Sequence, residues 1–79
     1  MATQPHPQAL AHDLIAVLVQ HGCRPGDGMP IQAARFQFGI ERPAEDFVAA
    51  VEQAATNDWI VLTRTGLWIT LTQAGFDAA

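Results

Sequence analysis

Apolar residues recur along this chain with two different periods. Leu10, Leu14, Val17, Leu18 and His21 fall at helical spacing, with Ile15 beside them. Proline suits the first position of a helix and glycine a left-handed stop, so Pro7 and Gly22 bracket a predicted first helix from about Pro7 to His21. Cys23-Arg24-Pro25-Gly26-Asp27-Gly28 has the composition of a turn. Pro30 can open a second, shorter helix, with Ile31, Ala34 and Phe38 as its buried stripe and Gly39 as its end. Ile40 is expected to plug the core in the connection that follows. Pro43 can open a third helix with Glu45 and Asp46 in its first turn, where carboxylates favour the positive end of the helix dipole. Its inward face is predicted as Phe47, Val51, Ala54 and Ala55, helped by Val48, and it fades at Thr56-Asn57-Asp58.

From Trp59 the period becomes two. Leu67, Ile69 and Leu71 share one predicted strand face, expected to meet the core, and Trp68, Thr70 and Thr72 share the other. Arg64-Thr65-Gly66 reads as the turn of a hairpin. A three-residue loop would pair Thr63 with Leu67 and turn Trp59 and Val61 to the core. A two-residue loop would pair Arg64 with Leu67 and turn Ile60 and Leu62 inward, because one residue of slip flips the face. The three-residue loop is preferred slightly, since Thr65 disfavours the positive φ associated with the shorter loop. Three helices followed by a C-terminal hairpin predict an α+β domain. Residues 1 to 6 read as a flexible tail and residues 7 to 79 as a single domain.

Asn57-Asp58-Trp59-Ile60, the hairpin, and then Leu71-Thr72-Gln73-Ala74-Gly75 resemble the end of the winged helix-turn-helix superfamily. Small bacterial regulators, including the multiple-antibiotic-resistance and phenolic-acid regulator families, look similar there. The resemblance implies a winged helix, a short helical turn capped by Thr72, and a cytoplasmic DNA-binding module in transcription regulation. It also implies that Arg64, at the wing tip, meets the minor groove or the backbone. Two features depart from that pattern. The connection from Gly39 to Phe47 is about two residues longer than usual. The outward positions of the third helix are Glu45, Asp46, Ala49, Glu52, Gln53 and Thr56, with three carboxylates and no cation.

Charge sharpens the second departure. The net charge is −4, with four Arg and no Lys. The segment from Glu41 to Asp58 holds five acids against Arg42 alone, and the remainder of the chain balances. Duplex DNA presents one negative charge per ~1.7 Å of axis, and binding rests largely on neutralising phosphates. The candidate DNA contacts are therefore few: Arg35, Arg42, Arg64 and Gln53. The competing expectation is a protein contact, either a basic partner on Glu45, Asp46 and Glu52 or a homodimer through outward Trp68. Phe36, off the second helix's apolar stripe, joins the protein-contact candidates.

Other chemistry finds little support. His6, His12 and His21 are spaced too irregularly to stack two ligands on one helical turn, so capping or surface roles are expected and no metal. The single cysteine, Cys23, excludes an intramolecular disulfide and reads as an inert thiol in a reducing cytosol. No phosphate loop, nucleophile elbow or zinc-protease motif is present, so neither an enzyme, a cofactor nor a small-molecule substrate is expected. The most apolar run, Ala9 to Val19, is too short to span a bilayer and has no basic residue before it, so neither a membrane partner nor a signal peptide is expected.

Overall fold

A computed structural model describes residues 6–63 and 67–79. The described residues form a small α+β fold of four helices and a three-stranded antiparallel sheet. The elements are α1 (Pro7–Gln20), β1 (Gly28–Pro30), α2 (Ile31–Gly39), α3 (Ala44–Thr56), β2 (Ile60–Leu62), β3 (Trp68–Leu71) and α4 (Gln73–Ala78). The sheet order is β1-β3-β2, so the last strand lies in the centre. No helix among the described residues is long and apolar enough to cross a membrane.

The core follows the helical spacing. Leu10, Ala11, Leu14, Ile15 and Leu18 of α1 are buried against Phe47, Ala50, Val51 and Ala54 of α3 and against Ala34 and Phe38 of α2. The contact between α1 and α3 is the most extensive in the molecule. Alanines at 11, 50 and 54 are wholly buried, and such small side chains allow helices to approach closely. His6 caps α1 by accepting from the Gln8 N–H at 3.2 Å. It therefore belongs to the helix start, and the rest of the expected tail lies outside the described residues.

The sheet and the α2–α3 connection together differ from expectation in four ways. First, β1 occupies residues placed partly in a turn. Gly28, Met29 and Pro30 pair with Thr70, Ile69 and Trp68. A Cβ on residue 28 would collide with the Ile69 carbonyl, so only glycine lets β1 approach β3 this closely. Second, the hairpin adopts the alternative register, Ile60 with Leu71, Val61 with Thr70 and Leu62 with Ile69. Ile60 is thus buried and Val61 is exposed. The expected turn at Arg64-Thr65-Gly66 lies outside the described residues. Third, Leu67 is 63% exposed although Ile69 and Leu71, on the same predicted face, are fully buried. Leu67 lies just before β3, which begins at Trp68. Fourth, the core plug expected at Ile40 is also 63% exposed. The connection is closed instead by Arg42, whose side chain lies over the Phe38 ring.

The Leu-Thr-x-x-Gly segment ties the hairpin back to α3. Thr72 caps α4 by accepting from the Gly75 N–H at 3.0 Å, and its hydroxyl donates to the Asp58 carbonyl. The Thr72 N–H donates to the Trp59 carbonyl at 3.0 Å. A Cβ on residue 75 would collide with that same carbonyl. The threonine and the glycine therefore serve one junction, between the end of α3 and the start of α4.

Candidate interaction surface

The exposed side of α3 is a single stripe. Glu45, Val48, Glu52 and Thr56 recur every three or four residues and all face solvent. Val48 is 51% exposed, which corrects the expectation that it helps the inward face. Its Cα lies about 100° around the helix from that of Phe47, which is buried. Asp46 is half-buried and stands off the stripe, and Ala49 is half-buried rather than outward.

Beside this stripe runs an apolar groove of about 260 Å³, lined by Ile31, Phe47, Val48, Val51, Glu52 and Leu62. It sits between α3, the start of α2 and the edge strand β2. The two-residue-loop register brings Leu62 to this side of the sheet. A second concavity shares Ile31 and Phe47 and continues past Gln32 to Arg35. The apolar floor is thus continuous, with Glu52 at one end and Arg35 near the other.

Of the four residues considered for DNA, Arg42 and Gln53 are engaged within the fold. Arg42 is committed within the fold. Its Nη2 donates to Asp13 Oδ2 at 3.4 Å, its Nη1 donates to the Phe38 carbonyl at 3.5 Å, and its guanidinium lies 4.0 Å from the Phe38 ring centroid. Gln53 donates to Asn57 Oδ1 at 3.1 Å, and Asn57 in turn donates to Gln8 Oε1 at 3.0 Å. That chain links the end of α3 to the start of α1, away from the exposed stripe. Arg35 is half-buried on α2 and has no hydrogen bond or ion pair among the described residues. Arg64 lies outside the described residues.

Trp68 faces away from the core and is 43% exposed. Pro30 is its register partner on β1, and the Trp68 carbonyl accepts from the Thr63 N–H, just past β2, at 3.1 Å. It borders a concavity of about 410 Å³ with His21, Gly22, Cys23, Gly26, Asp27 and Gly28. The Cys23 thiol there is buried, and burial, then the nearby Asp27 carboxylate, pushes its pKa up. A raised pKa leaves less thiolate and so a poorer nucleophile. Among the described residues no group of three or more His, Cys, Asp or Glu side chains could hold a metal. Phe36 on α2 is 62% exposed, about one turn before Ile40, the exposed residue that follows the helix.

Sequence reasoning identified Glu45, Glu52, Trp68 and Phe36 as outward residues and missed Val48, Leu62 and the groove between them. The i, i+3, i+7 spacing of Glu45, Val48 and Glu52 could have found the stripe. Leu62 could not be assigned without the hairpin register. Comparison of the chain with known protein families, curated proteins and solved structures finds no match.

Proposed function

We propose that this chain is a winged-helix module used for protein contact, with the exposed side of α3 and the adjoining edge of β2 as its contact surface. The fold reading is supported by the element order and by a sheet in which the strand after α1 pairs with the last strand of the hairpin. The functional reading is carried by one observation: the exposed stripe of α3 is Glu45-Val48-Glu52, beside an apolar groove. A helix that reads a DNA groove places this side against phosphates and base edges. Two carboxylates there oppose the phosphate field, and a valine between them supplies no hydrogen bond.

DNA binding is the second reading, and Arg35, unpaired among the described residues, favours it. A single arginine neutralises one phosphate, which contributes little affinity. A mobility shift with mixed-sequence duplex DNA at low salt separates the two. No retarded band is expected even at roughly 100 μM protein, the weak end of non-specific affinities. A band weakened by Arg35→Ala would replace the protein-contact reading with DNA binding.

A further inference from the structure

We infer that the α3 groove takes a cationic amphipathic segment of another protein, with an aliphatic or aromatic anchor between Val48, Val51 and Leu62 and Lys or Arg beside Glu45 and Glu52. This rests on the protein-contact reading of the same face and names the class of partner. Shape decides the kind of occupant. Two adjoining concavities of about 260 and 280 Å³ share Ile31 and Phe47, and such an elongated apolar floor suits the anchor side chains of a larger partner. Charge decides its sign. Glu52 lines the groove and Glu45 stands on the same helical stripe, which carries no cation, while Arg35 lies past Gln32 on the adjoining concavity and not among the groove's lining residues. Two other occupants are disfavoured by the same charges. A second copy meeting this face symmetrically would set each Glu45 and Glu52 against its own counterparts. An anionic lipid surface attracts basic segments and would meet carboxylates here.

The test is a titration of ¹⁵N-labelled protein with three amphipathic helical peptides that share a leucine face and carry lysine, glutamine or glutamate on the flanks. The leucine–lysine peptide should shift the amide resonances of Ile31, Val48, Val51, Glu52 and Leu62. It should bind at least tenfold more tightly than the glutamine peptide, and the glutamate peptide should not bind. Val48→Ser, at an exposed site, should weaken binding about tenfold, and the pair Glu45→Gln, Glu52→Gln should remove the preference for lysine. Equal binding of the lysine and glutamine peptides, both lost with Val48→Ser, would overturn the cationic partner and leave the protein-contact reading standing. Lysine-peptide binding that ignores Val48→Ser would overturn the groove. Absence of any peptide binding, together with a DNA shift, would overturn both readings.

Discussion

The two sides of α3 are held by different constraints. On the inner side Phe47, Ala50, Val51 and Ala54 are buried against α1, and two of them, Ala50 and Ala54, are wholly inaccessible. Volume matters there to within a methyl group, because interiors are close-packed. On the outer side Glu45, Val48, Glu52 and Thr56 face water, and the only hydrogen bond formed by their side chains among the described residues is from Thr56 to the Glu52 carbonyl at 2.9 Å. The monomer asks little of that side. The same helix can therefore be changed on one face at large cost and on the other at almost none, which makes stability and recognition separable by mutation.

The sharpest way to break this contrast is on the inner side. Leu14 is fully buried at the centre of α1. Leu14→Ala should cost about 2–5 kcal/mol, from lost transfer energy plus a cavity. Against a total of ~5–15 kcal/mol for a domain, that is a large fraction. Urea denaturation measures it, and a loss below about 1 kcal/mol would mean that the α1–α3 side is loosely packed.

Gly75→Ala comes next. Alanine is the better helix former, worth ~1 kcal/mol in a helix interior. The steric term opposes this and should win, because the new Cβ meets the Trp59 carbonyl, which is backbone and is held in place by the Thr72 N–H. A net loss of about 1–2 kcal/mol is expected, within the usual range for overpacking. A thermal melt that rises on this substitution would show that the junction between α3 and α4 is not tight.

The pair Asp13–Arg42 should contribute less. The side chains are 56% and 30% exposed, and the bond is 3.4 Å. Exposed pairs of this kind are worth ~0.2–1 kcal/mol. Asp13→Asn should therefore cost a few tenths of a kcal/mol, and the difference should vanish in high salt. Arg42→Ala should cost more, about 1 kcal/mol, since it also removes the guanidinium and its stem from the Phe38 ring. Equal losses from the two substitutions would assign the whole effect to the ion pair.

The contrast between the faces also explains what was legible in the sequence. Helical spacing reports which residues are buried by their own element, and it placed Leu14, Phe38, Phe47 and Val51 correctly. Tertiary pairing is not encoded in spacing. Gly28 closes a stretch of turn composition and Pro30 reads as a helix start, and Gly28-Met29-Pro30 becomes a strand only because β3 offers a ladder and Gly28 tolerates close approach. The hairpin register turned on which of Ile60 and Val61 enters the core, a choice local chemistry at Thr65 does not make. Arg42 looked available to DNA because Asp13 lies 29 residues away in sequence. The groove combines α2, α3 and β2, so no single stretch of sequence displays it.

The smallest expected effect bears most directly on the outer face. Val48 is 51% exposed in the middle of α3. A β-branched residue there loses side-chain freedom against the preceding turn, so Val48→Ala should gain a few tenths of a kcal/mol in helix propensity. It gives up roughly as much through the covered half of its side chain, which lines the groove with Phe47 and Val51. Stability should therefore stay within about 0.5 kcal/mol of the parent, as for surface substitutions generally. Binding of the leucine–lysine peptide should nonetheless weaken, because the anchor loses part of its wall. If denaturation shows instead a loss above 1 kcal/mol, Val48 belongs to the packed side of α3, and the division between its faces fails at the residue on which the proposed contact depends.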